Sequence, residues 1–299
     1  MAQASSGKPA RSVWKLLLKI FGGLFLTMFI AVSLIFSRMT FRTKDEDVEK
    51  YFAKRKLDVS IIHSEFNGRT LRWLQSGDTL SKKLIVFVHG APGSSDNFHA
   101  YLADSALLLK ANMVSIDRPG YGFSGYGKSE TSIAAQAEFV DYVARQYPAA
   151  DSIILVGHSY GGPIVAKCAV NHPEKIKSIM MLAPVNDPDT EPMFWFAKLT
   201  KWKLTRRILS GGLNVSGDEK LSHIAELRLM TGDWQQLRIP VTHIHGSKDW
   251  MAPRANIDFS RNHIDNKLLN AIEIPNTSHF IPWTNFEVVK TELLKSLGA

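Results

Sequence analysis

Short runs of apolar and β-branched residues recur along most of the chain, each bounded by glycine, proline or polar clusters. This pattern is typical of strands that are buried on both faces of a sheet. The first two runs flank Asn67-Gly68, a pair that suits the two-residue type I′ turn of a β-hairpin. The predicted strands are 59–66, 69–74, 83–88, 113–116, 152–156, 176–184, 239–245 and 270–274.

Segments with the apolar spacing of an amphipathic helix separate many of these runs, and the clearest are 131–147, 163–170 and 285–297. Strands that alternate with helices and are almost continuously apolar indicate a parallel sheet that is covered on both faces. The sequence therefore predicts an α/β domain with a mostly parallel, eight-stranded sheet and helices on both sides.

One gap interrupts the alternation, because residues 187–237 are longer than a simple crossover needs. We interpret this segment as a small helical cap over the carboxyl ends of the strands, where ligands bind in open α/β sheets. Its aromatic side chains, Phe194, Trp195 and Trp202, are the predicted substrate-binding residues. The alternative is a surface segment whose aromatic side chains only pack against the sheet.

A long apolar run near the amino terminus, residues 16–36, contains a single charge, Lys19. At ~1.5 Å per residue, a helix of this length spans the ~30 Å core of a bilayer. A transmembrane anchor fits better than a cleaved signal peptide, because the run is long and its small-residue site, 31–33, lies inside it. A buried core helix fits less well, because the run is apolar on every side.

The anchor divides the chain into a tail (1–15), the span (16–36), a charged linker with a short helix (37–58) and the α/β domain (59–299). Basic residues lie on both flanks of the span, and the short basic tail favours a cytoplasmic amino terminus. We therefore expect a single-pass membrane protein with its α/β domain on the non-cytoplasmic side.

The net charge of +8 is concentrated at this end of the chain. Residues 1–44 hold seven basic and no acidic side chains, which leaves +1 for the rest. A nearly neutral domain does not support nucleic-acid binding. Cys168 is the only cysteine, so the chain cannot form an intrachain disulfide, and its helical position predicts a buried apolar role.

The strongest chemical motif is Gly157-His158-Ser159-Tyr160-Gly161, which lies between a predicted strand and a predicted helix. A serine on so tight a turn has a strained backbone, and only small neighbours allow the strand and helix to approach. The hydroxyl then protrudes at the positive end of the helix. The sequence predicts Ser159 as a nucleophile, although an ordinary Gly-Ser turn has the same five-residue pattern.

A serine nucleophile needs a base, and the base needs an acid to orient it. His279 follows the last predicted strand and lies at the same edge of the sheet as Ser159, so it is the predicted general base. Asp249 lies just beyond the preceding strand and is the predicted acid, with Asp187 as the reserve candidate. His243 and His245 alternate on one strand, but no third ligand is near in sequence, and we predict no metal site.

Backbone N–H groups that point at a developing oxyanion contribute ~3 kcal/mol each to its stabilisation. The N–H of Tyr160 opens the helix after the nucleophile, and Ala91 follows the strand 83–88 in a glycine-rich loop. These two residues are the predicted oxyanion hole. A plain Gly-Pro turn is the alternative interpretation of the loop.

Taken together, the motifs resemble the α/β-hydrolase family over residues 61–297. The segments that carry the resemblance are, in chain order, His-Gly-Ala-Pro-Gly (89–93), Asp-Arg-Pro-Gly-Tyr-Gly-Phe-Ser (117–124), Gly-His-Ser-Tyr-Gly-Gly (157–162), Asp249 and His279. The resemblance implies a Ser159–His279–Asp249 triad and acyl transfer through a covalent acyl-enzyme, with no cofactor. The loop 89–93 is similar to that of proline iminopeptidases, which hold a substrate amine with cap carboxylates.

From these residues we expect a membrane-anchored serine hydrolase, of carboxylesterase or lipase type, that acts on a small-molecule or lipid-like ester. The apolar anchor and the aromatic cap motivate the lipid-like substrate. Two alternatives stay open at this point. One is an aminopeptidase of the proline iminopeptidase type, and the other is a non-catalytic binding protein on the same fold.

Overall fold

The computed structural model describes residues 10–298, without the side chains of residues 10–12 and 196. Most of the predicted tail, 1–15, therefore lies outside the described residues. The strands are β1 (Ser60–Phe66), β2 (Arg69–Ser76), β3 (Lys83–Val88), β4 (Asn112–Ile116), β5 (Ser152–His158), β6 (Ile176–Leu182), β7 (Val241–Gly246) and β8 (Leu269–Ile274).

Eleven α-helices and three short 3₁₀ helices connect or flank the strands in the described range. The α-helices are α1 (Ala10–Arg38), α2 (Asp45–Ala53), α3 (His99–Leu102), α4 (Ser105–Leu108), α5 (Ile133–Arg145), α6 (Gly161–Asn171), α7 (Lys203–Ile208), α8 (Gly211–Leu229), α9 (Ala255–His263), α10 (Ile281–Thr284) and α11 (Phe286–Ser296). The 3₁₀ helices are Ser95–Phe98, Trp195–Lys201 and Trp234–Gln236.

The eight strands form one sheet in the order β1-β2-β4-β3-β5-β6-β7-β8. β2 pairs antiparallel with both β1 and β4, and every other pairing is parallel. The predicted mostly parallel, eight-stranded sheet is confirmed. The carboxyl ends of β3, β5, β6, β7 and β8 therefore lie along one edge, which is where the predicted site residues follow their strands.

The hairpin between β1 and β2 has the predicted turn, because Asn67 and Gly68 both have positive φ angles, 50° and 69°. A type I′ turn requires this conformation at both central residues, and its twist matches that of the strands.

The core lies on both faces of the sheet, because successive side chains of each central strand point in opposite directions. On β3, Val86 packs in a cluster with α5 and α6, whereas Phe87 packs in a second cluster with α3 and α11. Both residues are fully buried. This two-sided burial explains why the strands appear in the sequence as continuous apolar runs.

The structure differs from the predicted linker at α2, which packs as part of the folded domain. Val48 and Phe52 are fully buried in the cluster on the α3 side of the sheet. Asp45, at the start of α2, accepts a hydrogen bond of 2.9 Å from Nε of the buried Arg72 on β2. Charged residues surround the two apolar positions, and this charge suggested a linker.

α1 is the described helix that is long and apolar enough to cross a membrane, over Val13–Arg38. Its carboxyl end contacts the cap, where the backbone N–H of Ser210 donates to the carbonyl of Phe36 at 3.3 Å. The Ser210 hydroxyl donates to the carbonyl of Met39 at 2.7 Å. The first bond satisfies a carbonyl that the end of a helix leaves without a partner, and the second holds the residue that follows α1.

The segment 187–237 contains α7, α8 and two of the 3₁₀ helices, in agreement with the predicted helical insertion. α8 packs on the 3₁₀ helix Trp195–Lys201, and both follow the carboxyl end of β6. The side chain of Ser210 caps α8 by accepting a hydrogen bond from the N–H of Leu213.

Candidate active site

Ser159 lies between the end of β5 and the start of α6 with a φ of 52°, a left-handed conformation that a residue with a side chain rarely adopts. Its two glycine neighbours have no room for a side chain. A Cβ on Gly157 would lie 2.3 Å from the Gly161 carbonyl oxygen, and one on Gly161 would lie 2.4 Å from the Val88 carbonyl oxygen. The strand-turn-helix geometry predicted for this motif is therefore present, and the side chain of Ser159 is directed by a strained turn.

The loop after β3 packs directly against this turn. A Cβ on Gly90 would lie 2.9 Å from Cβ of Ser159, so only glycine fits beside the serine. Within residues 10–298, the backbone N–H groups of Ala91 and Tyr160 donate to no protein acceptor. These are the two donors that the sequence predicts for an oxyanion hole, and their role stays a prediction. The Ala91–Pro92 peptide bond is cis.

His279 and Asp249 come together as their positions after β8 and β7 predict. Nδ1 of His279 donates to Oδ2 of Asp249 at 2.7 Å, and both side chains are almost fully buried. The backbone N–H groups of Met251 and Ala252 donate to the other carboxylate oxygen, Oδ1, at 2.9 and 2.8 Å. This arrangement leaves Nε2 of His279 as the ring atom available for chemistry.

His158 connects the serine turn with the histidine loop. Its Nε2–H donates to the carbonyl of His279 at 3.2 Å, and the two rings lie 5.0 Å apart. Burial, with a smaller contribution from the nearby His279, lowers the pKa of His158 to about 3. His158 is therefore neutral at ordinary pH, and its hydrogen bond links the turn that contains Ser159 to the loop of His279.

A second histidine supports the loop that contains the acid. The Nε2–H of His245 donates to the carbonyl of Ala252 at 2.9 Å, and Nδ1 of His245 lies 3.1 Å from Nε2 of His243. Burial lowers the pKa of both histidines. The ring nitrogens of the pair thus contact each other, the loop and Ser260.

Asp187, the reserve candidate for the acid, does not approach the histidine. Its Oδ1 accepts from the N–H of Asp189 at 2.9 Å and its Oδ2 from the hydroxyl of Thr190 at 2.8 Å. The carboxylate therefore shapes its own turn at the start of the cap.

Arg118 is the buried residue that sequence reasoning missed. Its Nε and Nη2 donate to the carbonyls of His89 and Gly90 at 2.8 and 2.9 Å, immediately before Ala91. The same guanidinium binds Glu219 of α8 at 2.6 and 3.2 Å. The Glu219 carboxylate raises the pKa of Arg118 overall, although burial alone lowers it. The cap and the loop beside Ser159 thus share one buried cation.

The signal for this residue was the sequence Asp117-Arg118 in a glycine-rich turn. Two charges directly after a buried strand need partners, and Asp117 finds them in Arg72 and the N–H of Ser95. The partner of Arg118 lies 101 residues away, so the sequence alone offered no means of choosing it.

The three predicted substrate-binding aromatics occupy different environments. Phe194 is half-buried and contacts Trp250 edge-on, with ring centroids 5.9 Å apart. Trp195 and Trp202 are 73% and 65% exposed, so they face outward from the cap. Their role in substrate binding stays a prediction.

A cluster of possible metal ligands, Glu138, Asp141 and His172, lies on the helical layer formed by α5 and the end of α6. These groups pair with one another and with Arg145, whose Nε donates to Asp141 at 2.5 Å. The cluster is distant in the fold from the edge that holds Ser159.

The fold and the strand-turn-helix around Ser159 match a known architecture. Residues 83–211 match the family model described as alpha/beta hydrolase fold. The chain has the α/β-hydrolase fold. A solved structure of a bacterial membrane phospholipase A superposes on this hydrolase-fold chain with a TM-score of 0.63 at 17% identity, covering 97% of this chain and all of that one.

Curated relatives match the hydrolase-fold region over shorter stretches. One is the dihydrolipoyllysine-residue acetyltransferase component of the acetoin cleaving system of Cupriavidus necator, 29% identical over 42% of this chain and 32% of that protein. Another is a probable 1-acylglycerol-3-phosphate O-acyltransferase of Oryza sativa subsp. japonica, 31% identical over 40% of this chain and 30% of that protein. The chain thus spans about a third of the length of these curated relatives.

Proposed function

We propose that the protein is a membrane-anchored serine hydrolase of carboxylesterase or lipase type, with Ser159 as nucleophile, His279 as general base and Asp249 as the orienting acid. The observation that carries this proposal is the 2.7 Å hydrogen bond between Nδ1 of His279 and Asp249. It fixes the tautomer in which Nε2 accepts a proton, and it stabilises the imidazolium that then forms.

In the proposed reaction, Nε2 of His279 takes the hydroxyl proton of Ser159 while the serine oxygen attacks the ester carbonyl. The carbonyl oxygen becomes an oxyanion, which the N–H groups of Tyr160 and Ala91 stabilise by ~3 kcal/mol each. The tetrahedral intermediate expels the alcohol, which receives the proton from His279, and an acyl-enzyme is left. Water, activated by the same histidine, hydrolyses the acyl-enzyme and restores the serine.

Two features support an ester with an apolar moiety as substrate. α1 has the length and composition of a membrane span, and its carboxyl end is hydrogen-bonded to the cap. A membrane phospholipase A also shares the fold over nearly the whole chain. We propose that α1 anchors the protein in a bilayer, with the α/β domain on the non-cytoplasmic side, and that the hydrolase takes lipid-like esters.

An aminopeptidase is the second candidate, and one observation favours it. Glu191 in the cap is buried, and its Oε2 has no hydrogen-bond partner among the described residues. Its Oε1 already binds Lys220 and His223, and the charge of Lys220 offsets that of the carboxylate. Four further cap acids have partners: Asp218 pairs with Arg206, Glu219 with Arg118 and Asp233 with Lys167, and Glu226 accepts from a backbone N–H. Of the two buried cap acids, Glu191 and Glu219, only Glu191 thus keeps an oxygen without a described partner that could receive a substrate amine.

The test compares nitrophenyl esters of increasing acyl length with a proline arylamide, using the full chain in detergent. We expect turnover of the esters that improves with acyl length and is abolished by Ser159→Ala. Ser178→Ala is the matched control, because this buried serine lies on the neighbouring strand β6 and its hydroxyl has no described partner. Preference for the arylamide would favour the aminopeptidase, and ester turnover by Ser159→Ala would remove Ser159 from the mechanism.

A further inference from the structure

Among the described side chains outside α1, the exposed aromatics lie at one edge of the protein. Of the described Trp, Tyr and Phe side chains in this part of the chain, five are exposed. They are Trp195 (73%), Trp202 (65%), Trp250 (68%), Phe280 (49%) and Trp283 (45%). All five follow the carboxyl ends of β6, β7 or β8, which is the edge that carries the candidate active site.

Three of the five residues, Trp250, Phe280 and Trp283, adjoin the candidate site itself. Trp250 directly follows Asp249, and Phe280 directly follows His279. The rings of Phe280 and Trp283 lie 6.1 Å apart, and Phe194, next to Trp195, contacts Trp250 at 5.9 Å. We call the five aromatics and the exposed Leu204 (69%) the aromatic rim.

Four basic side chains accompany the cap part of the rim, and all four are exposed. They are Lys198, Lys201, Lys203 and Arg207. None of the four forms an ion pair with the described residues of the protein. By contrast, the neighbouring Arg206 is bound by Asp218 at 2.6 Å. The cap thus presents free cations and exposed apolar rings side by side.

The end of α1 is fixed beside this part of the cap. Ser210, which separates α7 from α8, binds the carbonyls of Phe36 and Met39. Arg42 lies over the ring of Tyr126 at 4.3 Å, which holds the chain against the domain after it leaves α1. The apolar run of α1 ends at Phe36. The junction of α7 and α8 is therefore level with the end of the apolar span.

This position has a direct physical consequence when α1 spans a bilayer. The end of an apolar span lies at the boundary between hydrocarbon and headgroups, so the adjoining cap lies there too. Tryptophan is the residue most suited to that boundary, because its ring is apolar and its N–H is polar. Lysine and arginine at the same level contact anionic headgroups.

We propose that the aromatic rim lies in the interface of the bilayer that holds α1, with the four free cations on anionic phospholipid headgroups. The site then opens toward the bilayer, and an acyl chain enters it without passing through bulk water. This inference rests on the membrane anchoring proposed above, and its test separates the two.

The test places a nitroxide at single introduced cysteines of the full chain in phospholipid vesicles and measures collisions with oxygen and with a water-soluble nickel chelate. Cys168 is 1% exposed, so labelling is directed to the introduced thiols. The rim positions are Trp202→Cys and Trp250→Cys. The matched controls are Leu80→Cys and Leu109→Cys, which are 76% and 84% exposed and precede β3 and β4, at the opposite edge of the sheet.

A label at Leu26→Cys, in the middle of α1, tests separately whether α1 lies in the bilayer. We expect high oxygen and low nickel accessibility at position 26 and at both rim positions, and high nickel accessibility at both controls. Rim positions that match the controls while position 26 is in hydrocarbon would overturn the rim proposal alone. A label at position 26 that is open to nickel would overturn the anchor. If both oxygen and nickel were excluded from the rim labels, and more so at a higher protein-to-lipid ratio, the rim would be in contact with another copy of the protein. That result would overturn the bilayer proposal.

The charge component is tested by comparing neutral vesicles with vesicles that contain anionic phospholipid. We expect the label at position 202 to move deeper in the anionic vesicles. The triple variant Lys198→Glu, Lys201→Glu, Lys203→Glu is expected to lose this shift. The matched control Lys175→Glu, Lys177→Glu changes exposed lysines at the opposite edge and is expected to keep it. An equal shift in both variants would contradict a role for the cap cations.

Discussion

Glu219 of the cap and Arg118 of the core form a fully buried, two-point ion pair, with oxygen–nitrogen distances of 2.6 and 3.2 Å. Removal of one partner from such a pair leaves an uncompensated buried charge and costs ~3–5 kcal/mol. Because Arg118 also holds the carbonyls of His89 and Gly90, a loss at Glu219 reaches the loop that carries Ala91.

The first prediction therefore concerns Glu219→Gln. We expect a large fall in the midpoint of thermal unfolding and a lower kcat toward esters, because the cap loosens and the loop loses its fixed donor. Asp218→Asn is the control, since its ion pair with Arg206 is partly exposed and contributes at most ~1 kcal/mol. Equal stability of the two variants would show that the buried pair does not hold the cap.

The second prediction separates the two candidate acids. Asp249→Asn is expected to lower kcat by ~10³–10⁴-fold, as in known serine triads, because the amide no longer enforces the productive tautomer of His279. Asp187→Asn is expected to keep most activity, since the carboxylate of Asp187 accepts hydrogen bonds from its own turn. Steady-state kinetics with one ester measures both. A loss of activity in Asp187→Asn but not in Asp249→Asn would assign the role of the acid to Asp187.

The third prediction tests the serine turn. Gly157→Ala places a Cβ 2.3 Å from a backbone carbonyl oxygen that cannot move without displacing α6. We expect poor folding or, in the folded fraction, no esterase activity. Gly232→Ala is the matched control, because a Cβ there meets no atom within 4 Å. Circular dichroism and esterase activity are measured on the same preparations. If Gly157→Ala folded and turned over esters as well as Gly232→Ala, the assignment of the serine turn would be contradicted.

The fourth prediction is a loss of stability in mild acid. Burial lowers the pKa of His89, His158, His243 and His245. Above the ordinary histidine pKa of ~6.5, these residues are neutral in both folded and unfolded chains. Below it, the unfolded chain binds protons that the folded chain does not, so the free energy of unfolding falls by up to ~1.4 kcal/mol per pH unit for each histidine.

Unfolding midpoints between pH ~7 and ~5 measure this slope. His243→Asn is expected to reduce the slope, because it removes one of the buried groups that must stay neutral. His63→Asn is the control, since the side chain of His63 is 54% exposed. A slope that is unchanged in His243→Asn would show that the buried histidines do not set the acid sensitivity.

The strand runs and the hairpin turn were predictable because they depend on local sequence. Continuous apolar runs report burial on both faces, and Asn67-Gly68 encodes its own turn type. The proximity of His279 and Asp249 followed from topology alone, since both residues come after parallel strands that end at the same edge. Their 2.7 Å hydrogen bond agrees with that expectation.

The Arg118–Glu219 pair and the aromatic rim were not predictable in the same way. The partners of Arg118 are set by where the cap docks, and nothing local specifies that contact. Trp250, Phe280 and Trp283 follow two different strands in short segments, so their common edge emerges only when β7 and β8 are placed beside β6. The core contacts of α2 were also hard to predict. Val48 and Phe52 are its two buried positions, and two apolar residues among charged ones form a weak sequence pattern.

The most direct test of the central claim is labelling of the purified full chain with a fluorophosphonate, followed by peptide mass spectrometry. We predict stoichiometric modification of Ser159, none in Ser159→Ala, and much slower modification in Asp249→Asn, because the activated hydroxyl attacks the phosphorus as it attacks an ester carbon. Absence of labelling at Ser159 in a folded preparation, or equal labelling of Ser159→Ala, would contradict the serine hydrolase assignment.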